Sequence, residues 1–180
     1  METKIFGGKK ITIRKMATKD LKIVPRWARY INDLIEEDVF LMLSKKLTHK
    51  EEKEWLTQTI KKINKKEAIL LVAQSGEKII GNAEIRLMDG KRSHIGLFGI
   101  SISKDFRGIG LGSFLMDKII KLAKKEIKPT PRFILLGAFA ENKIAINLYK
   151  KKGFKQTACV PNQFMQKGKL MDEIIMELYL

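Results

Sequence analysis

The chain has 180 residues, 44% of them hydrophobic, which fits one folded domain with a substantial core and argues against wholesale disorder. Its 36 Lys and Arg against 20 Asp and Glu give a net charge of +16, which favours polyanionic partners. One cysteine, Cys159, excludes internal disulfides. No apolar run reaches the roughly 20 residues that span a bilayer, and the first residues lack a secretory signal's apolar core, so we expect a cytoplasmic protein without membrane contact.

The first third of the chain predicts one strand and two helices. Residues 11–14 alternate between apolar and polar types, as a strand does. Pro25 suits the first turn of a helix whose apolar positions recur to about Glu37. Thr48 and Glu51 form a capping box that opens a second helix.

The middle of the chain predicts an antiparallel meander of three strands. Residues 68–73 form a continuous apolar run, which is typical of a central strand. A turn at residues 75–77 leads into a strand over residues 79–87, and Asp89-Gly90 indicates a second hairpin. Residues 94–103 return as the third strand.

A glycine-rich turn, residues 103–113, joins this third strand to an amphipathic helix. The first amides of a helix have no partner within the helix, and the helix dipole adds positive charge there. Three glycines allow a phosphate to approach the backbone closely. We therefore predict an anion site at this turn.

The last part of the chain predicts a parallel crossover and a closing strand pair. Pro129 and Pro131 end the helix after the glycine turn, and residues 133–139 read as a buried strand parallel to the third strand of the meander. Asn142 caps a short helix that ends at Gly153. Residues 154–160 and 171–178 then complete the sheet. No linker or repeat divides the chain, so we expect one domain over residues 1–180.

Two nucleotide motifs do not fit the glycine turn. A P-loop needs Lys followed by Ser or Thr directly after its last glycine, and neither that lysine nor the spacing is present. A dinucleotide fingerprint starting at Gly108 needs Gly or Ala where Ser113 stands, and it wants alternating strands and helices before it. What remains is an arginine, Arg107, followed by glycines at positions 110 and 112.

Residues 107–112, Arg-Gly-Ile-Gly-Leu-Gly, resemble the Q/R-x-x-G-x-G/A acetyl-CoA motif of the GNAT family of N-acetyltransferases. Residues 142–154 are similar to that family's second signature, through Asn142, Ala145, Leu148-Tyr149 and Gly153-Phe154. Residues 168–176 resemble its closing strand. The resemblance runs from about residue 68 to the end of the sequence, and the earlier elements occur in a compatible order.

The resemblance implies a mixed α/β fold. Its centre is a mostly antiparallel sheet of six to seven strands with about four helices around it, and one parallel strand pair splays apart at the cofactor site. It implies acetyl transfer from acetyl-CoA to an amine, by direct attack in a ternary complex and without a metal. The implied cofactor residues are Ile100, Ser101 and Ile102 on the strand, Arg107, Gly108, Ile109, Gly110, Leu111, Gly112 and Ser113 on the turn, and Asn142 and Tyr149.

The sequence identifies a candidate for the catalytic acid but leaves the choice of the general base undecided. Tyr149 resembles the family's tyrosine that protonates the departing thiolate, and a phenol is a suitable donor for that step. The amine must lose a proton before it attacks, and both Glu84 and His94 are candidates for the base. The hairpin between them is expected to bring the two close together, although some family members use no dedicated base.

The acceptor is not fixed by the sequence. A polyamine, a protein N-terminus, a lysine side chain and an amino sugar all stay open, and the acidic residues Glu36, Glu37 and Asp38 are candidates for attracting a cationic amine. A basic nucleic-acid-binding protein and a catalytically silent CoA-binding regulator are the alternatives. The first would leave both family motifs unexplained, so we expect nucleic acid less than an amine substrate. A homodimer also stays open.

Overall fold

The computed structural model describes residues 1–37 and 40–180. The strands are β1 (Glu2–Phe6), β2 (Lys9–Lys15), β3 (Ala68–Ser75), β4 (Lys78–Leu87), β5 (Ile95–Ile102), β6 (Phe133–Phe139), β7 (Lys155–Gln166) and β8 (Lys169–Tyr179). The helices are α1 (Val24–Glu36), α2 (His49–Asn64), α3 (Leu111–Glu126) and α4 (Lys143–Lys151).

The strands form one eight-stranded sheet in the order β1-β2-β3-β4-β5-β6-β8-β7. Every neighbouring pair is antiparallel except β5 and β6, which run parallel because α3 connects them as a crossover. The mixed, mostly antiparallel fold expected from the sequence is confirmed, with the meander of β3, β4 and β5 at its centre.

The sheet has one strand more than the sequence analysis expected. β1 pairs with β2 from Glu2↔Ile13 to Phe6↔Lys9 and forms one edge of the sheet. Its middle residues are exposed, and its side chains do not alternate between apolar and polar types. An edge strand of this kind is held by backbone hydrogen bonds, so side-chain periodicity does not reveal it.

The helices pack on both faces of the sheet. α3 and α4 cover one face, where Leu115, Met116 and Ile119 of α3 join Ala83 and Ile85 of β4 in one core. α1 and α2 cover the other face, with their own core. Residues of β4 between the buried ones, such as Asn82 and Glu84, therefore point to the side of α1 and α2.

The parallel pair β5–β6 separates after three paired positions, Ile95↔Phe133, Gly96↔Ile134 and Leu97↔Leu135. β5 continues to Ile102 along β4 in regular register, whereas β6 continues to Phe139 along β8. The two strands therefore leave an opening between residues 98–102 and residues 136–139, which we call the gap.

In the C-terminal hairpin, one strand end predicted from the sequence is wrong. The first strand of this pair was expected over residues 154–160, but β7 extends through Gln166 and turns at Lys167 and Gly168 before β8. A register shift between Val160 and Phe164 absorbs the intervening residues, and Phe164 then pairs with Met171. The strand thus resumes after an irregularity that the proline at position 161 made look like a strand end.

Candidate active site at the gap

The glycine turn leads from the end of β5 to the start of α3. Gly108 and Gly110 have φ of +73° and +87°, and a Cβ added at either would meet no atom within 4 Å. Gly110 caps α3 without a side chain, and the first amide bonded back within the helix is that of Phe114, to the carbonyl oxygen of Gly110. The amides of residues 111–113 therefore stand at an open, positively polarised helix start, which suits a pyrophosphate.

The remaining residues of this turn support the backbone rather than offering side chains. Leu111 is fully buried, Ile109 packs against Gly7, and Ser113 is half-buried. A Cβ added at Gly112 would come within 3.3 Å of Ile102 Cδ1 and 3.5 Å of Leu148 Cδ2. This third glycine thus lets α3 lie close to β5 and α4.

Arg107 is fixed by two interactions. Its Nε donates to the carbonyl oxygen of Ile102 over 2.7 Å, and its Nη2 donates to Glu37 Oε2 over 2.6 Å. Glu37 also accepts from the amide of Lys104 over 3.4 Å. The sequence analysis proposed Arg107 as a cofactor residue, and the structure adds that its side chain ties the turn to the end of α1.

The edge of β5 offers backbone groups to the gap. The amide of Ser103 donates to Ile80 on β4, so with the alternation of a strand the amides of Ile100 and Ile102 point away from β4, towards the gap. The carbonyl oxygen of Ile102 is used by Arg107, which leaves its amide and both groups of Ile100 facing that way. This is the arrangement that an extended ligand arm needs for strand-like pairing.

Ser101 belongs to a buried network that the sequence analysis missed. Tyr30 on α1 lies with its hydroxyl 2.7 Å from Ser101 Oγ, 2.9 Å from the Ser101 carbonyl oxygen and 3.0 Å from Asn82 Oδ1. Burial raises the pKa of Tyr30, so the phenol stays protonated as a donor. The network fixes β5 against α1, and the helical spacing of Tyr30 gave no signal for this role.

α4 packs on the same face of the sheet as α3 and carries two of the predicted site residues, Asn142 and Tyr149. Asn142 caps the helix by accepting from the amide of Ala145 over 3.2 Å, as its position predicted. Tyr149 is buried edge-on against Phe98 with a ring-centroid distance of 6.1 Å, and burial raises its pKa to about 12. Its hydroxyl makes no hydrogen bond with any residue that the structure describes, so it is available as a donor.

Glu84 lies on β4 next to the gap, paired with Gly99 of β5. Its Oε1 is buried and has no hydrogen-bond partner within the described part of the chain. Burial raises the pKa of this carboxyl, and the charges of Arg86 and Lys62 oppose that effect only in part. A buried carboxylate with an unpaired oxygen is a strong proton acceptor, as a general base must be.

His94 does not lie at the gap. It precedes β5, is exposed, and stacks edge-on with Phe133 at a centroid distance of 6.0 Å. Glu84 pairs with Gly99, five positions further along, so the two candidates for the base lie roughly 17 Å apart. The hairpin aligns β4 and β5 without bringing the two residues together.

The acidic end of α1 is already neutralised in part. Glu36 pairs with Lys46, and Glu37 pairs with Arg107. Asp38 lies outside the described residues. The two described carboxylates therefore hold parts of the chain together, which weakens the hypothesis that they attract an acceptor.

The fold matches that of solved acetyltransferases. An acetyltransferase of the GNAT family from Streptococcus pneumoniae superposes with a TM-score of 0.82 at 27% identity, covering 94% of this chain and 99% of that one. The yncA putative acetyltransferase from Salmonella typhimurium, solved with its cofactor acetyl-CoA, gives 0.78 at 20% identity and covers 94% of both chains.

The family model described as Acetyltransferase (GNAT) family matches residues 31–154, which include the gap and both signatures. The chain belongs to this acetyltransferase family, and acetyl-CoA is the donor that the family uses. The open glycine turn and the exposed edge of β5 fit that molecule.

Curated relatives match only in part. The L-amino acid N-acetyltransferase AaaT of Escherichia coli is 28% identical over 107 residues, which are 59% of this chain and 65% of the relative. An uncharacterized N-acetyltransferase of Methanocaldococcus jannaschii is 39% identical over 70 residues, which are 39% of this chain and 30% of the relative. The chain thus spans less than two thirds of the length of these relatives.

The described residues, 1–37 and 40–180, contain no helix with the length and apolar character to cross a membrane. They also contain no group of three or more His, Cys, Asp or Glu side chains arranged to hold a metal ion.

Proposed function

We propose that the chain transfers the acetyl group of acetyl-CoA to a primary amine, by direct attack of the amine in a ternary complex, within a catalytic domain that spans residues 1–180. The observation that carries this proposal is the unpaired, buried oxygen of Glu84 beside the gap. It stands on the face of α1 and α2, opposite to the face that carries α3 and α4. A donor held at the glycine turn and an amine beside Glu84 would meet in the gap.

On the donor side, the amides at the start of α3 would bind the pyrophosphate, and the edge of β5 would pair with the pantetheine arm. The amide of Ile102 faces the gap and would donate to the thioester carbonyl oxygen, where negative charge develops during attack. Asn142 would hold α4 in place beside the arm. Each of these roles uses a group with no competing partner among the described residues, apart from the helix cap of Asn142.

On the acceptor side, Glu84 would take the proton of the ammonium, directly or through one water. Its raised pKa brings the carboxylate closer to the pKa of the amine and makes the transfer less uphill. His94 stays a candidate only in a conformation different from this one, because it lies at the other end of β5. Tyr149, with a pKa of about 12, would remain protonated and supply a proton to the leaving thiolate.

Names of relatives support an amine acceptor without selecting one. They include an L-amino acid N-acetyltransferase and, among structures that share the fold at 20% identity, a ribosomal-protein-alanine N-acetyltransferase from Brucella melitensis. Both names describe an acetyl acceptor of the amine type.

The experiment is a thiol-release assay with acetyl-CoA and a panel of primary amines. We expect amine-dependent release of CoA, and a 10²- to 10⁴-fold fall in kcat for Glu84→Gln. Glu54→Gln, an exposed glutamate on α2, is the matched control and should keep wild-type activity. Absence of release with every amine, together with no thermal stabilisation by acetyl-CoA, would refute the proposal; salt-dependent retention on DNA would then favour a nucleic-acid-binding protein.

A further inference from the structure

Two glycines face each other across the gap. The paired positions of β5 and β6 differ by a constant 38 residues in number, from Ile95↔Phe133 to Leu97↔Leu135. The last pair is Leu97↔Leu135. Continuing the same register for two more residues brings Gly99 opposite Gly137, where the strands have already separated. Neither residue has a side chain to fill the space, and a Cβ added at Gly99 would meet nothing within 4 Å. We call this opening, between Gly99 and Gly137, the glycine window.

A carboxylate flanks the glycine window on each side. Glu84 is the cross-strand neighbour of Gly99 on β4. Glu173 of β8 lies directly over Gly137, since a Cβ added there would collide with its Oε1. Ile174 and Met176 are buried in the core of α3 and α4, so Glu173 points to the other face, the same face as Glu84.

No contact within the described ranges gives the carboxylate of Glu173 a structural role. It makes no hydrogen bond or ion pair with any residue in the described ranges, although the protein has 16 more cationic than anionic side chains. Its side chain is half-buried, and burial raises the pKa of its carboxyl. A half-buried carboxylate without a partner is unfavourable for folding, which is expected where a ligand supplies the missing cation.

Aromatic rings border the glycine window at its outer end. Phe139 follows Gly137 on the same face of β6 and stacks on Phe164 of β7 with a centroid distance of 4.0 Å. Phe40, from the segment between α1 and α2, packs on Phe139 at 5.3 Å. Phe40 and Phe164 are each partly exposed, so these three rings form an accessible apolar wall.

We propose, on the basis of the proposed function, that Glu173 binds the ammonium of the acceptor at the glycine window, and that the acceptor is a primary amine on an apolar group without a carboxylate on the same carbon. Glu84 then removes the proton and Glu173 retains the acceptor, which makes Glu173 a specificity residue. Two carboxylates around one small opening attract a cation and repel an anion. The aromatic wall contacts the substituent that the amine carries.

The test compares phenethylamine with L-phenylalanine under saturating acetyl-CoA. The two share the ring, its spacing and an amine that titrates in the alkaline range, and they differ in the α-carboxylate. We expect kcat/KM to be at least tenfold higher for phenethylamine. Ethylamine, which lacks the ring, should have a KM at least tenfold higher than phenethylamine. Equal or better use of L-phenylalanine would overturn the proposal, and this comparison needs only the wild-type protein.

Glu173→Gln tests the residue itself. We expect the KM for phenethylamine to rise at least tenfold, with kcat within threefold of wild type and the KM for acetyl-CoA unchanged. Glu177→Gln is the matched control, because Glu177 lies on the same face of β8 but opposite the paired part of β6. An unchanged KM in Glu173→Gln, in a protein that acetyl-CoA still stabilises, would reject the role of Glu173. If the proposed function itself were wrong, no amine would cause release of the CoA thiol from acetyl-CoA. The two failures can therefore be distinguished.

Discussion

The guanidinium of Arg107 binds the carboxylate of Glu37 over 2.6 Å, and this pair connects the glycine turn to the end of α1. The same guanidinium holds the last carbonyl of β5, that of Ile102, over 2.7 Å. The side chain of Arg107 thus supports the turn, while its amide donates to the carbonyl oxygen of Lys104 over 3.1 Å. The turn's shape depends on a helix that the family motif does not include.

Glu37→Gln should loosen the glycine turn without unfolding the protein. The pair is partly exposed, with side-chain exposures of 42% for Arg107 and 24% for Glu37, so its loss should cost less than about 1 kcal/mol of stability. We expect a roughly three- to tenfold weaker Kd for acetyl-CoA, measured by calorimetry. Glu36→Gln, which removes the neighbouring pair with Lys46, should bind like wild type; an equal loss in both variants would contradict a specific role for Glu37.

Gly110→Glu should abolish stabilisation by acetyl-CoA. A non-glycine residue at φ +87° costs about 1–2 kcal/mol, and the carboxylate would occupy the open space that we propose for the pyrophosphate. For wild type, acetyl-CoA at 100 times Kd should add about 2.7 kcal/mol, which corresponds to a rise in Tm of roughly 5–10 °C.

Gly76→Glu provides the control for Gly110→Glu. Gly76 has φ +58° and open space around it in the turn between β3 and β4, far along the chain from the glycine turn. We expect a similar loss of basal Tm and a full shift with acetyl-CoA. A full shift in Gly110→Glu would place the pyrophosphate elsewhere.

Tyr149→Phe should lower kcat about 100-fold, at the low end for general acid catalysis because a thiolate is already a fair leaving group. The pKa of about 12 keeps the phenol protonated between pH 6 and pH 10, so the loss should be constant over that range. Steady-state values of kcat for wild type and Tyr149→Phe between pH 6 and pH 10 measure this loss. Tyr179→Phe changes an exposed tyrosine and should have no effect; wild-type kcat in Tyr149→Phe would remove Tyr149 from the mechanism.

Glu52→Gln should stabilise the protein at alkaline pH. Glu52 is buried on α2, and burial raises the pKa of its carboxyl to about 6 from 4.5, although the nearby indole of Trp27 opposes this. A raised pKa favours the folded state below pH 4.5, and that contribution is lost as pH rises through 6. The shift corresponds to about 2 kcal/mol.

Urea denaturation at pH 4 and pH 8 measures this difference. Relative to Glu52→Gln, wild type should lose about 2 kcal/mol between the two pH values, as the shift of Glu52 requires. Glu54→Gln, exposed on the same helix, should show no such change. A pH-independent difference between wild type and Glu52→Gln would mean that the carboxyl titrates normally.

The sequence predicted the parts of the site that local chemistry determines. The glycine turn, the cap at Asn142 and the apolar strands each carry a pattern that depends on neighbours in the chain, and the structure has all of them. Glu84 was found because a carboxylate is unusual between apolar strand residues. These signals need no knowledge of which strands become neighbours.

The rest depended on pairings between distant residues. Tyr30 looked like any apolar helix position until α1 packed beside Ser101, and Glu173 looked like one acidic residue of an edge hairpin until β8 paired with β6. His94 looked close to Glu84 because a hairpin joins their strands, but Glu84 pairs with Gly99, which is five positions further along β5 than His94. Strand register decided the cases of Glu173 and His94, and the packing of α1 on the sheet decided that of Tyr30. The spacing of residues along the chain determines neither.

The three paired positions between β5 and β6 also make a seam in the sheet. On one side lie the five strands β1 to β5, and on the other the three strands β6, β8 and β7. Backbone pairing across the seam is short, and side chains of both parts also meet in the core beneath α3 and α4. Hydrogen exchange should therefore resolve them as separate opening units, with the amides of Ile100 and Ile102, which face the gap, exchanging faster than those of β3 and slowing when a ligand arm pairs with them.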